Sequence, residues 1–210
     1  MKRIKVMKEW DKTWPSIEKY NILAEFCLGV IRRDMVKILD RIPNRVPNEL
    51  KVLDIGCGFG KSLEWFKEYG FNDLIGIDSS ETSVKICRDK GFNVIEMDAF
   101  HTKFRNKEFD LVYAGGVLEH FESEDVQLMI KEMCRISDKY ILLLQPNKKS
   151  LYKKFADIYY FFIPERGPPE LDYSYDYFLD SLAMNGFVLM DSSKSFLGGF
   201  WILLFERSDM

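Results

Sequence analysis

An acidic residue and three alternating glycines stand directly after a short apolar run, within residues 52–60, which read VLDIGCGFG. The apolar, partly β-branched residues suit a strand that is buried on both faces. Gly56, Gly58 and Gly60 let the backbone turn sharply and approach a ligand where a Cβ would collide. The next residues predict a helix, whose free N–H groups would face any group held on the loop. The pattern therefore predicts a nucleotide-type cofactor site at the edge of a parallel sheet.

The spacing of the glycines separates three classes of ligand. The dinucleotide fingerprint G-x-G-x-x-G/A places its third position on Lys61, which disfavours NAD and FAD. The phosphate loop G-x-x-x-x-G-K-[ST] requires glycine at position 55, where the chain has Ile55, so a loop that starts at Gly56 is one residue short. The pattern acid-x-G-x-G-x-G is matched in full from Asp54 onwards. It resembles motif I of the class I S-adenosylmethionine (SAM)-dependent methyltransferases.

A second apolar strand, residues 74–77, ends in Asp78. A carboxylate at this place can accept two hydrogen bonds from the vicinal hydroxyls of a ribose, and the resemblance implies that role for Asp78. The alternative is that the carboxylate caps a helix, because Ser79 and the residues after it look like a helix start.

A third strand ends in Asp98 and is followed by Ala99. The resemblance implies that the acid binds the adenine amino group and that the next backbone N–H contacts the ring. An acid after a strand is also common turn chemistry. The family often has an apolar residue where this chain has Ser79, so the adenine is expected to lie against Ala99, Phe100 or Leu118 instead.

Residues 109–120, FDLVYAGGVLEH, resemble the fourth-strand motif of the same family, and residues 141–147 resemble the fifth strand with its terminal Pro-Asn. The resemblance implies that Ala114 and Gly115 contact the methionine end of the cofactor. His120 is the candidate general base, and a scaffold role is the alternative. The full cofactor-binding set predicted is Asp54, Gly56, Cys57, Gly58, Gly60, Asp78, Ser79, Asp98, Ala99, Phe100, Ala114 and Gly115.

The resemblance implies an α/β fold, a doubly wound seven-stranded sheet in the order 3-2-1-4-5-7-6 with strand 7 antiparallel. We expect one domain over residues 1–210. It would comprise an N-terminal helical lid over 1–48, with its helix at 17–39, a cofactor-binding core over 49–147, and an acceptor-side insertion with a C-terminal hairpin over 148–210. Gly198 and Gly199 favour the hairpin turn.

Composition excludes several classes of protein. The chain has no apolar run of the length that a transmembrane helix requires, and no signal-peptide pattern, so a cytoplasmic protein is expected. The four cysteines stand singly and there are two histidines, which predicts reduced thiols and no metal site. The net charge is −3 with Lys and Arg spread along the chain, which makes a nucleic-acid acceptor unlikely.

Six of the chain's ten tyrosines fall within residues 152–177. Aromatic walls with hydroxyl tips suit a small aromatic or apolar acceptor, and the candidate substrate residues are Trp14, Tyr20, Tyr152 and Tyr173. A helix packed on the sheet and a contact between subunits are the alternatives. Peripheral membrane contact of residues 151–163 is a further possibility.

The sequence therefore predicts methyl transfer from SAM, with S-adenosylhomocysteine (SAH) as product, to a small-molecule acceptor. Holding the two reactants in register is the main task of such a protein. Two alternatives stay open: a methyltransferase acting on tRNA or protein, and a non-catalytic SAM-binding partner subunit. The sequence leaves the attacking atom and the oligomeric state undetermined.

Overall fold

The computed structural model describes residues 6, 9–10, 22–43, 47–150, 168–195 and 197–208, with the backbone alone for 22–27. The predictions for Trp14, Tyr20, Tyr152 and residues 151–163 therefore lie outside the described residues.

Seven strands and five helices make up the described fold. The strands are β1 Lys51–Ile55, β2 Asp73–Asp78, β3 Val94–Glu96, β4 Phe109–Gly115, β5 Ser137–Pro146, β6 Phe187–Ser195 and β7 Phe200–Arg207. The helices are α1 Ile22–Leu39, α2 Lys61–Tyr69, α3 Glu81–Asp89, α4 Ser123–Ile136 and α5 Tyr175–Ala183, with 3₁₀ turns at Pro47–Glu49 and Leu118–His120.

The strands form one sheet in the order β3-β2-β1-β4-β5-β7-β6. Neighbours from β3 to β5 are parallel, and β7 runs antiparallel to both β5 and β6. The predicted order and the antiparallel seventh strand are confirmed. Because β1 and β4 lie side by side and chain connections leave them in opposite directions, a crevice opens at their carboxyl ends.

Alternate residues of the central strands enter two separate cores. Val112 and Ile141 pack against α4 and α5, whereas Leu111 and Leu142 pack against α1 and α2. This two-sided burial explains why β4 and β5 read as continuous apolar runs rather than as alternating ones.

Serine hydroxyl groups contact the first and the last of these helices. The predicted helix at 17–39 is described from Ile22 as α1, and its buried face contains Ile31 and Met35, next to Asp34, whose Oδ2 accepts a hydrogen bond from Ser195 Oγ at 2.9 Å. Helix α5 starts at Tyr175, because the Ser174 hydroxyl caps it by accepting from the Tyr177 N–H at 3.1 Å.

Three cysteines among the described side chains, Cys57, Cys87 and Cys134, are buried and free. None of the described helices has both the length and the apolar character needed to cross a membrane.

Candidate cofactor site

The glycine loop turns at the carboxyl end of β1 and is bonded to the end of β2. The N–H groups of Gly56 and Cys57 both donate to the carbonyl oxygen of Ile77, at 2.8 and 3.1 Å. Gly56 has a φ of 66°, and a Cβ there would lie 2.6 Å from Cγ2 of Val117. Glycine is therefore required at position 56 by its conformation and by the close approach of Val117.

The Asp78 carboxylate is fixed by backbone donors at the end of β2. Its Oδ2 accepts from the Gly58 N–H at 2.9 Å, and its Oδ1 accepts from the Ser80 N–H at 2.9 Å. Burial raises the pKa of Asp78, and these N–H donors oppose that rise. The helix-capping role that was the alternative for Asp78 belongs to Ser80, whose Oγ accepts from the Ser83 N–H at 3.1 Å.

Asp54 lies beneath the loop and not on its surface. Its Oδ2 accepts a hydrogen bond from the Ser62 hydroxyl on α2. Complete burial and the nearby Asp78 charge together raise the pKa of Asp54 to about 7, and the hydrogen bond from Ser62 opposes this rise. Asp54 thus joins the strand to the helix that follows the loop.

A cavity of about 210 Å³ opens above the loop. Eight residues of the predicted cofactor set line it: Gly56, Cys57, Gly58, Asp78, Ser79, Ala99, Phe100 and Gly115. The other four predicted residues, Asp54, Gly60, Asp98 and Ala114, are not in its wall. Gly60 instead precedes α2 with a φ of 84°, and Ala114 is fully buried in the sheet.

The end of β3 supplies the side of the cavity expected to hold adenine. Met97, Ala99 and Phe100 line it, whereas Leu118 does not. The Asp98 side chain is exposed, and its Oδ1 accepts from the Phe100 N–H at 2.9 Å. In the structure Asp98 therefore performs the turn chemistry that the sequence offered as the alternative.

Sequence reasoning missed several residues at the opposite side of the cavity. Trp10, Leu28, Trp65, Tyr113 and Leu144 all line it. One of them had a usable signal: Trp65 stands four residues after Lys61 on α2, so both lie on the helix face beside the loop. The remaining four come from separate elements with no shared motif.

His120 lies behind this apolar wall. Its ring packs edge-on against Trp10 with a centroid distance of 5.0 Å, and burial lowers the pKa of His120 below its usual value. The neighbouring Glu119 is 4% exposed, and burial raises its pKa to about 8. Neither side chain lines the cavity described above.

The predicted substrate residue Tyr173 is also outside the cavity wall. Its hydroxyl donates to the carbonyl oxygen of Phe121 at 2.6 Å, and its ring lies 4.7 Å from that of Tyr177. Phe121 does line the cavity, so Tyr173 supports the wall from behind.

Comparison with known proteins identifies the fold and the domain. A family model described as a methyltransferase domain matches residues 53–139. The solved structure of magnesium protoporphyrin IX methyltransferase from Synechocystis PCC 6803, with bound SAH, superposes with a TM-score of 0.76 at 19% identity. That likeness covers 98% of this chain and 100% of the other.

Two curated relatives are similar over about half of the chain. The tRNA (carboxymethyluridine(34)-5-O)-methyltransferase of Xenopus tropicalis is 31% identical over 117 residues, which are 52% of this chain and 18% of the relative. Probable tRNA methyltransferase 9B of Mus musculus is 35% identical over 118 residues, 56% of this chain and 26% of the relative. The chain therefore spans about a fifth to a quarter of the length of these relatives.

The residues present fit the cofactor of this family. Asp78 offers a carboxylate to a ribose, and Gly56 leaves open the space that a Cβ would fill. Carboxyl ends of parallel strands are also where such folds bind ligands. Residues 53–139 thus match a methyltransferase domain, and the residues around the cavity fit S-adenosylmethionine as its cofactor.

Proposed function

We propose that the chain transfers a methyl group from SAM to the carboxylate oxygen of a carboxymethyl group on a uridine in tRNA. The observation that supports methyl transfer is the cavity above the glycine loop, with the Asp78 carboxylate held toward it by the Gly58 and Ser80 N–H groups. The acceptor is proposed from the chemistry of the site together with the relatives.

Each part of the cavity wall has a proposed role. Asp78 binds the ribose hydroxyls, Ala99 and Phe100 contact the adenine, and Gly56 and Gly115 leave backbone accessible to the methionine end. SAM, when bound, would supply a methyl group activated by its sulfonium, and SAH would be the leaving group. The protein's contribution is to align the acceptor and exclude water, and alignment alone can lower a barrier by about 7–11 kcal/mol.

An already ionised acceptor suits this cavity. The titratable side chains among the described residues of its wall are Cys57, Lys61, Asp78 and Tyr113. Burial and a hydrogen bond to Cys87 raise the pKa of Cys57, and burial raises that of Tyr113, so both keep their protons near neutral pH. A carboxylate acceptor needs no proton removed before it attacks, whereas a hydroxyl does.

The relatives support a tRNA acceptor, which the sequence analysis held as an alternative to a small molecule. The net charge of −3 argues against nucleic acid, but two short runs are basic: residues 2–8 read KRIKVMK, and residues 148–154 read KKSLYKK. In the sequence, the first run precedes Trp10, which lines the cavity, and the second begins two residues after β5 ends at Pro146. Basic runs of this kind would bind phosphates without reading the base sequence.

A small aromatic acceptor is the second candidate. Trp10, Trp65 and Phe121 give the cavity an aromatic wall that suits a flat apolar ring. The magnesium protoporphyrin IX methyltransferase, whose fold this chain shares with a TM-score of 0.76, is named for a porphyrin acceptor, and this supports the second candidate.

The test has two steps. Calorimetric titration with SAH is expected to show binding by the parent protein, weakened roughly 10- to 150-fold by Asp78→Ala and unchanged by Asp89→Ala on the exposed end of α3. Tritium transfer from labelled SAM is then measured to tRNA that carries carboxymethyluridine, to unmodified tRNA and to porphyrin carboxylates.

Transfer to the carboxymethyl tRNA alone supports the proposal, and transfer to the porphyrin alone supports the second candidate. SAH binding without transfer to any acceptor indicates the non-catalytic partner subunit. Absence of SAH binding at millimolar concentration contradicts the proposal at its first step.

A further inference from the structure

We propose that Glu119, His120 and Gln145 form a recognition site for the uncharged edge of the acceptor's heterocycle, such as the imide edge of a uracil ring. This inference rests on the proposed function, because it assigns the residues that hold the acceptor base beside the cofactor cavity. It concerns side chains that the cofactor site itself does not use.

The three residues are brought together by the pairing of β4 with β5. After Gly115 the chain turns, and the Gly116 N–H donates to the Leu144 carbonyl at 3.0 Å. The 3₁₀ turn Leu118–His120 therefore lies beside the carboxyl end of β5, where Gln145 follows Leu144.

These side chains hold buried polar atoms that have no partner. Within the described part of the chain, Glu119 Oε2, both amide atoms of Gln145 and His120 Nδ1 lack a hydrogen bond. Glu119 is 4% exposed and Gln145 is 1% exposed, so water does not satisfy them from the surface. More than nine in ten buried polar groups are normally paired.

The rest of the described core follows that rule. Ser83 Oγ donates to the Gly58 carbonyl, Ser137 Oγ to the Tyr140 carbonyl and Ser195 Oγ to Asp34. One further buried atom without a hydrogen bond, Asp191 Oδ2, lies 2.8 Å from Nη1 of Arg41 in an ion pair. The other unsatisfied atoms thus belong to the 3₁₀ turn Leu118–His120 and to the end of β5, which is in contact with it, and this points to a ligand and not to loose packing.

The chemistry of the three groups defines what they can bind. Burial raises the pKa of Glu119 to about 8, so near neutral pH its carboxyl group carries a proton that it can donate. Gln145 offers one amide donor group and one acceptor oxygen. Burial lowers the pKa of His120, so its ring is uncharged near neutral pH and offers one acceptor nitrogen.

The set is therefore uncharged and contains both donors and acceptors. A uracil imide edge presents one N–H donor between two carbonyl acceptors. The acceptors and donors of the three side chains are complementary to these groups. The charges of Lys148 and Glu170 both act on Glu119 and His120 and oppose each other, so an anionic group would gain no net counter-charge there.

The cluster and the cofactor cavity share a wall. The Trp10 ring lines the cavity and also packs against His120. Gly116 and Leu144 line the cavity next to Glu119 and Gln145, and a Cβ on Gly116 would lie 3.7 Å from Glu119 Oε1. A base held by the cluster thus lies beside Gly115, where the methionine end of the cofactor is expected.

The test measures binding of the nucleoside 5-carboxymethyluridine to the SAH-loaded protein by calorimetry. We expect Gln145→Met to weaken nucleoside binding at least about tenfold while SAH affinity stays within about twofold. Because the substitution removes unpaired polar atoms without changing the side-chain length, Tm is expected to be unchanged or raised.

Two controls make the result specific. Gln127→Met is the matched variant and should leave nucleoside binding unchanged. In the parent, Nε2 of Gln127 on α4 donates to Oγ of Ser181 on α5 at 2.7 Å, away from the cavity. The second control is the N3-methylated nucleoside, whose methyl group blocks the imide edge. Its affinity for the parent protein should be as low as the affinity of the unmethylated nucleoside for Gln145→Met.

Equal binding of both nucleosides by the parent overturns the inference even if Gln145→Met fails to fold. The inference is also overturned if the parent binds SAH but binds no nucleoside at millimolar concentration, and the cofactor assignment then still stands. A parent that binds no SAH contradicts the proposed function instead, so the two failures are distinguishable.

Discussion

The hydroxyl of Tyr113 occupies the space that a side chain on Gly115 would need. A Cβ built on Gly115 would lie 2.0 Å from Tyr113 Oη and 2.5 Å from Cζ. The ring cannot move aside freely, because Tyr113 is 3% exposed and packs edge-on against Phe66 with a centroid distance of 5.1 Å. Glycine is thus required at position 115 because the Tyr113 side chain fills the space of a Cβ, and not because of the backbone conformation of Gly115.

We expect Gly115→Ala to displace Tyr113 and deform the cavity wall. Overpacking of this kind lowers the free energy of unfolding by about 1–3 kcal/mol, and SAH affinity should fall at least about tenfold. Adding Tyr113→Leu to the variant should restore most of the stability. Denaturant unfolding and calorimetry measure both quantities. Gly29→Ala is the control, since a Cβ there meets nothing within 4 Å.

A double variant no more stable than Gly115→Ala alone would contradict this explanation. The clash would then be relieved by backbone movement, and the requirement for glycine would come from the cofactor side.

Asp78→Asn is expected to disturb the glycine loop as well as the ribose contact. Both carboxylate oxygens accept backbone N–H groups, from Gly58 and Ser80, and an amide replaces one acceptor with a donor. One N–H is then left unsatisfied, at a cost of about 1–3 kcal/mol. We expect faster amide hydrogen exchange at Gly58 and weaker SAH binding, with Asp89→Asn as the exposed control.

If Asp78→Asn weakens SAH binding but leaves exchange at Gly58 unchanged, the carboxylate acts on the ligand alone. Faster exchange with intact SAH affinity would mean the reverse, that Asp78 serves the loop and not the ribose.

The part of the cavity wall formed by the glycine loop and the end of β2 was predictable, because its signals are local. Gly56, Gly58 and Asp78 stand at the ends of apolar strands, and the carboxyl ends of parallel strands meet at one edge of the sheet. Asp98 carries the same local signal but caps the Phe100 N–H, because an acid after a strand is also what a turn needs. The sequence pattern does not distinguish these two uses.

The opposite side of the cavity was not predictable, because its parts meet only through the fold. Leu28, Tyr113 and Leu144 belong to α1, β4 and β5, and they meet in the cavity wall only in the folded chain. Tyr173 was chosen from a tyrosine-rich segment, but its hydroxyl bonds to the Phe121 carbonyl. Composition indicates that a segment is aromatic, and packing decides which rings face a ligand.

The stability of the protein should fall as pH rises toward 7, in part through Asp54. Burial raises its pKa from 3.8 to about 7, so between these values the folded state binds a proton that the unfolded state has lost. The stabilisation is fully present below about pH 4 and is lost as pH rises through 7. Its full size is on the order of 4 kcal/mol.

Asp54→Asn should remove this part of the pH dependence, because an amide does not titrate and can still accept from Ser62 Oγ. The measurement is the free energy of unfolding in urea at pH 5 and pH 8 for the parent, Asp54→Asn and the exposed control Asp89→Asn. An equal decline with pH in parent and Asp54→Asn would contradict the raised pKa and assign the decline to other groups such as Glu119.

His120→Gln distinguishes a general base from a recognition residue. A carboxylate acceptor carries no proton to remove, so we expect kcat to stay within about tenfold while KM for the tRNA rises. A general base would instead contribute about 10²- to 10⁴-fold to kcat. His101 is exposed on the loop after β3, and His101→Gln is the matched control that should change neither constant. A large loss in kcat with KM unchanged would mean that the attacking group must be deprotonated. The acceptor would then be a hydroxyl or an ammonium group, because a carboxylate needs no such step.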